Sequence, residues 1–311
     1  MSTLLDYAKK TRDVIRPLGA VDVLLFYGII ANALEKFLDG KEIAARIWLP
    51  SAGRGYVLKR GSDIAPLYAS ELSEAVTPEL LELRSKGELS NEGKKLTEAQ
   101  RKAWTYFVPR HLCDFFYATN NEGAGKPIER IFFDLDRGKG ISLEQAIAGA
   151  ASFAQIIRED KKLEELIGTV DPFIAWTGRS FHVFLFLEEP QPASFYGKYF
   201  QYGKNTPMDS YTGRWVKALS ERMDYKVSGG HEKRENVLTV DPSQTPSGKL
   251  CRVPLGSLHM GDASTVDGVS IPVTEKMLKE KGIAGKLESY KPTDVLFNLE
   301  KHVADLPVKF I

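Results

Sequence analysis

Cysteine is nearly missing from this chain: 311 residues carry two, Cys113 and Cys251. A structural zinc takes four Cys or His ligands, so this pair would need His111 and further residues to build one, and no structural zinc is expected. A disulfide framework is excluded too, which fits a reducing compartment. A single Cys113–Cys251 bridge stays open, as in intracellular proteins of hyperthermophiles. No apolar run reaches the about 20 residues of a membrane helix. The opening stretch MSTLLDYAKKTRD has no apolar core of a secretory signal, so a cytoplasmic protein without a membrane partner is expected. A surplus of one charge is also lacking: 42 Lys plus Arg stand against 41 Asp plus Glu. Global charge therefore announces no polyanionic partner, and any basic surface has to be local. Internal repeats and low-complexity segments are absent. What remains is a globular composition, 43% hydrophobic and 27% charged, with enough chain for a sizeable core.

The first third is apolar, then basic, then densely charged. Residues 20–38, AVDVLLFYGIIANALEKFL, read as a helical or mixed segment that is largely buried. ARIWLPSAGRGYVLKRG, 45–61, reads as strand, turn, strand, with Arg54, Lys59 and Arg60 clustered at the turn. Residues 71–102, centred on RSKGELSNEGKKLTEAQRK, read as a solvated helical hairpin or mobile insertion, with a DNA-facing flap as the alternative.

From residue 130 the rhythm is cleaner. RIFFDLD (130–136) has the apolar run and length of a strand. ISLEQAIAGAASFAQIIRED (141–160) has the stripe of a helix, with Ser142 and Gln145 at capping-box spacing. PFIAW (172–176) and HVFLFLEE (182–189) read as strands around TGRSF. SYTGRWVKALSERMD (210–224) reads as a helix with Trp215, Leu219 and Met223 inward. NVLTVD (236–241) and KLCRVPL (249–255) read as two strands around PSQTPSG, and Pro254 makes the second an edge or terminating strand. Two short helices fit the tail, 274–288 and 292–306. This alternation predicts an α/β sheet with helices packed on it.

The chemistry concentrates at strand ends. Residues two apart on a strand share a face, so Asp134 and Asp136 present two carboxylates together while Leu135 points into the packing. Carboxylates this close repel unless a cation sits between them, and hard oxygen donors suit Mg²⁺ or Mn²⁺. Alone, D-x-D also describes solvated acids at an exposed strand end. Asp241 ends a second apolar strand, and three acids on neighbouring strands suit two divalent ions of the kind that clamp a phosphoryl transfer. Pro242 leaves a turn-initiating Asp as the plainer reading. Arg179, in the Gly178 turn, and His182, at the next strand's start, offer partners for phosphate oxygens. Lys249 and Arg252 lie on the strand after Asp241, followed by Ser257 and His259. A hairpin is expected to return this basic pair alongside the Asp241 strand, where cations suit a metal-bound triphosphate.

D-x-D on a strand, then TGRSFH, then a strand-ending Asp, then K-x-x-R-x-P-x-x-S-L-H resembles the archaeo-eukaryotic primase superfamily over residues 128–262. Within it the sequence is most like the N-terminal primase-polymerase domains of archaeal plasmid replication proteins. The resemblance implies an α/β (α+β) fold, an RNA-recognition-motif-like catalytic sheet packed with an N-terminal α/β module. It implies one catalytic domain over 1–311, made of an N-terminal module (1–110), a catalytic module (111–265) and a C-terminal helical extension (266–311). By position, the metal acids and catalytic residues fall on Asp134, Asp136 and Asp241, and the nucleotide contacts on Arg179, Ser180, His182, Lys249, Arg252, Ser257 and His259. Thr177-Gly178-Arg179-Ser180 stands where many members have Ser-Gly-Arg-Gly, keeping a hydroxyl at Thr177. The implied activity is template-directed nucleotidyl transfer, as DNA primase and DNA polymerase, in plasmid or mobile-element replication. Its cofactors are two Mg²⁺ or Mn²⁺ ions. Its partners are a single-stranded DNA template, a primer terminus and NTP or dNTP. Such proteins often continue into a helicase-like region, so the chain is expected to be part of a longer one. An end-joining repair polymerase shares every motif. A D-x-D glycosyltransferase and a non-catalytic nucleic-acid-binding module are the rivals of other classes.

Overall fold

The computed structural model describes residues 22–48, 56–61, 64–86, 96–107, 111–260 and 265–307. The strands in chain order are β1 (Ile43–Ile47), β2 (Val57–Lys59), β3 (Cys113–Ala118), β4 (Ile128–Arg137), β5 (Phe173–Trp176), β6 (Phe181–Gln191), β7 (Lys226–Gly229), β8 (Val237–Asp241), β9 (Leu250–Arg252), β10 (Leu258–His259), β11 (Gly268–Val269) and β12 (Ile271–Val273). The chain divides into two units. One is Met1–Tyr117 with Arg252–Ile271 and Ser289–Ile311; the other is Ala118–Cys251 with Pro272–Glu288. The architecture is mixed α/β, as the resemblance implied. Among the described residues no helix is long and apolar enough to cross a membrane.

In the first unit, Asp22 caps the helix Val23–Ala33 by accepting the Leu24 amide at 2.7 Å. That helix is apolar all round, and Val23 through Ala31 are buried. It packs under an antiparallel sheet in the order β2-β1-β3-β9, with Tyr27 5.1 Å from the Phe115 ring. The two strands expected over 45–61 are present as β1 and β2, and the turn between them, with Arg54, lies outside the described residues. The charged segment 71–102 is described except at its centre, residues 87–95, where the expected hairpin or insertion lies outside the described residues. It supplies parts of the helices Ala69–Ala75, Pro78–Lys86 and Glu98–Tyr106, whose Leu72, Ala75, Leu80, Ala103 and Tyr106 are buried. Apolar positions three and four apart within a polar sequence are enough to make one buried stripe. Gly28 matters here, because a Cβ there would stand 2.7 Å from Val76 Cβ.

In the second unit the sheet order is β12-β5-β6-β4-β8-β7. Its inner four strands, with the helices Leu143–Glu159 and Tyr211–Arg222, form the β-α-β-β-α-β arrangement of an RNA-recognition-motif sheet. The capping box is formed: Gln145 N donates to Ser142 Oγ at 3.1 Å and Ser142 N to Gln145 Oε1 at 2.9 Å. Both helices cover one face, where Phe133 lies 5.2 Å from Phe153 and 5.8 Å from Trp215. Two expectations need correction. The C-terminal extension is not all helical, for it adds β12 at the sheet edge, the position in a sheet where a proline such as Pro272 is tolerated. The strand after Asp241 does not return alongside it. β8 already has β4 on one side and a parallel β7 on the other, so β9 joins the other sheet next to β3.

Candidate active site

β4 runs through the middle of its sheet, and its register decides what meets what. Asp134 is the direct partner of His182 on β6 and of Asp241 on β8. Direct cross-strand partners share a face, so His182, Asp134 and Asp241 form one row across three strands. Asp136, two residues on, lies on that face opposite Thr239. Leu135 points the other way and is fully buried. The register that the sequence alone left unproven thus gathers all three acids and the histidine in one place.

Each group in the row has a physical anchor. His182 is 7% exposed, lies edge-on to Phe132 at 4.7 Å and holds Nε2 3.7 Å from Asp134 Oδ1. Asp134 and Asp136 keep 31% and 18% of their side chains exposed. Lys233 Nζ stands 2.6 Å from Asp136 Oδ1. Asp241 accepts from the Ser243 amide and hydroxyl, both at 2.9 Å, because Pro242 turns the chain back over the strand end. Burial, and then the Asp241 carboxylate, push the Tyr196 phenol well up.

The TGRS turn closes the site's other side. Gly178 has φ +92°, which favours glycine. Ser180 N donates to Thr177 Oγ1 at 3.0 Å, and the buried Ser180 hydroxyl donates to the Leu135 carbonyl. Ser180 is thereby committed to tying the turn to β4, which leaves Arg179 exposed at the tip. Arg137 stands near it, its pKa lowered by burial and by the Arg179 guanidinium, against the pull of Glu288.

The basic residues expected after Asp241 do not stay together. Lys249 is exposed and its carbonyl accepts from the Thr119 amide at 2.9 Å. Arg252, Ser257 and His259 belong to the first unit, where they meet around Asp114. Arg252 is buried. It donates to the Leu258 carbonyl at 2.6 Å, to Ser257 Oγ at 3.2 Å and to Asp114 at 3.4 Å, with its guanidinium 5.0 Å from the Phe116 ring centroid. His259 pairs with Asp267 at 3.2 Å, and burial followed by Arg252 lowers its pKa. Cys113 and Cys251 are buried thiols.

Several of these neighbours were not singled out from the sequence. Arg137 directly follows D-x-D, and Ser243 stands two residues after Asp241, so both had a local signal. Lys233 lies in the exposed loop GHEKREN before β8 and had only its charge to announce it.

Among the described residues no group of three His, Cys, Asp or Glu side chains is arranged to hold a metal ion. The donor set is nonetheless of the right kind. It offers carboxylate oxygens, no thiolate, and positions on adjoining strands whose direct partners lie about 4.5–5.5 Å apart, a span over which carboxylates can share a hard divalent ion.

No family model matches the sequence, and no curated protein matches it. Among solved structures, the polymerase domain of Ligase D from Mycobacterium tuberculosis, in complex with DNA, is similar with a TM-score of 0.56 at 18% identity over 92% of each chain, a likeness that shows this chain to have the fold of that polymerase domain.

Proposed function

We propose that the chain is a template-directed nucleotidyltransferase, a DNA primase and DNA polymerase of plasmid or mobile-element replication. The observation that carries this reading is the row of His182, Asp134 and Asp241 with Asp136 beside it on one sheet face. Asp134, Asp136 and Asp241 would hold two Mg²⁺ or Mn²⁺ ions, a group that supplies activation of a 3′-hydroxyl and neutralisation of the leaving pyrophosphate. His182, Arg179 and Lys249 orient the incoming triphosphate, and Ser180 fixes the turn that presents Arg179. Arg252 and Ser257 hold the Asp114 cluster, and His259 extends it. A second reading, an end-joining repair polymerase, fits about as well and is favoured by the fold likeness to the Ligase D polymerase domain.

The test is incubation with single-stranded template, all NTPs or dNTPs and Mg²⁺ or Mn²⁺, with and without primer. Asp134→Asn, Asp136→Asn and Asp241→Asn are each expected to abolish incorporation while the circular dichroism and melting temperature stay intact. Near-wild-type extension by Asp134→Asn would end the reading. Tight binding to a recessed 5′-phosphate, with no primer-free synthesis, would move the conclusion to end joining.

A further inference from the structure

Strand alternation gives the sheet β2-β1-β3-β9 two faces. One is core, with Ile43, Ala45, Ile47 and Phe115 buried. The other carries Tyr56 and Leu58 from β2 and its approach, Arg46 and Trp48 from β1 and its exit, Phe116 from β3 and Arg252 from β9. The outward face of an antiparallel sheet is ordinarily polar. This one bears three aromatic rings; it is covered towards β3 and β9, where Ala44, Asp114 and Arg252 are buried, and open at its β2 edge, where Tyr56 and Leu58 are 49% and 43% exposed.

Cations are set among the rings. The Arg46 guanidinium lies 5.1 Å from the Trp48 centroid, 5.5 Å from Tyr56 and 5.0 Å from Phe116. Asp114, fully buried, accepts from Arg46 Nε at 2.8 Å and from Arg252 at 3.4 Å, so one carboxylate fixes two guanidiniums and offsets one of their two charges. The face is therefore apolar, aromatic and positive, with its central cation held in place.

Single-stranded nucleic acid is read by this chemistry: bases stack on rings and guanidinium planes, and phosphates go to the cations between them. A repeating base and phosphate matches rings interleaved with positive charge, whereas an apolar peptide would gain nothing from the arginines. We infer that this face is a stacking platform for single-stranded DNA, with Tyr56 and Trp48 as the stacking rings and Arg46 as the fixed cation between them. The inference rests on the polynucleotide reading of the proposed function, but the platform belongs to the unit that lacks the acid row, so binding is measured apart from catalysis.

The experiment uses the full chain without nucleotide and with a chelator. Fluorescence anisotropy follows labelled oligo-dT and an equally long strand of abasic sugar-phosphate across a salt series. Tyr56→Ala is expected to weaken oligo-dT roughly ten-fold, within the range of stacking losses, with the abasic affinity and the salt slope unchanged. Tyr56→Phe should bind as wild type. Irradiation of a 5-iodouracil strand should attach it to Tyr56 or Trp48. Equal loss on both strands would reduce the face to a phosphate track and overturn stacking. No loss at all, with crosslinks elsewhere, would overturn the platform and leave the face to a peptide partner. Because Tyr56 is exposed, its replacement does not threaten the fold. Incorporation failing while these affinities hold would count against the catalytic reading alone.

Discussion

Replacing Arg252 by alanine decides between two roles for a cation that the sequence marks as a phosphate ligand. A phosphate ligand has to present its guanidinium to solvent. The Arg252 side chain is 8% exposed and its donors are taken up by the Leu258 carbonyl, Ser257 and Asp114, with Asp114 itself at 0%. Truncation would leave the Leu258 carbonyl short of a donor and remove half of what neutralises Asp114. Removing one partner of a buried ion pair costs about 3–5 kcal/mol. Arg46 still donates to Asp114, so the lower end of that range applies, about 3 kcal/mol. At about 2–4 °C per kcal/mol, the melting temperature should fall by roughly 6–12 °C. The assay is a thermal and urea melt of Arg252→Ala, paired with nucleotide KM measured well below the transition, where KM should change less than two-fold or so. An unchanged melt with a KM raised about ten-fold would show the guanidinium serving the triphosphate, and the buried-pair reasoning would be wrong.

Two further outcomes follow from the same kind of argument. Lys233 competes with any divalent cation for Asp136, but it is exposed, and such a pair contributes about 0.2–1 kcal/mol; Lys233→Met should therefore tighten Mn²⁺ binding about two- to five-fold by paramagnetic resonance of the free ion, and weaker binding would refute the competition. His302 is buried with Nε2 2.6 Å from the Tyr290 hydroxyl, and burial, then Lys301, lower its pKa from 6.5 to about 4. The unfolded chain takes up this proton first as pH falls. The stabilisation is thus present above pH 6.5 and lost towards pH 4, by up to about 3 kcal/mol. His302→Gln should flatten the pH dependence of urea midpoints in that window, and an unaltered slope would contradict it.

The second unit was legible because its signals are local. An apolar run with carboxylates two apart, a capping box, and Trp215 with Leu219 on one helix stripe each fix an element without reference to distant residues. The failures lie where a choice depends on a competitor. The 249–255 stretch has the pattern of a hairpin partner for β8, yet β7 occupies that edge, and nothing within the hairpin says so. The described ends of the 71–102 segment have the composition of a solvated surface, yet Leu72, Ala75, Val76 and Leu80 are buried there, Val76 against Gly28 of the Val23–Ala33 helix.

The same distinction separates the parts of the candidate site. The acid row could be anticipated only in part: an antiparallel neighbour sets its start level with the end of the strand beside it, which puts His182 by Asp134, whereas Asp241, at the end of β8, meets Asp134 because β4 runs on to Arg137. Arg252 could not be read that way. Its partner Asp114 is 138 positions away, and only the fold of the first unit puts a buried carboxylate, a phenylalanine face and a free carbonyl around it. A basic residue near a metal acid in sequence is a phosphate ligand only if no buried carboxylate claims it first. A buried claimant gains more from the pair than solvated phosphate does, because an unpaired carboxylate in the core is the costlier state. By that rule Arg179, exposed on a glycine turn next to the acid row, has the stronger title to the triphosphate than Arg252, although the two look alike in the sequence.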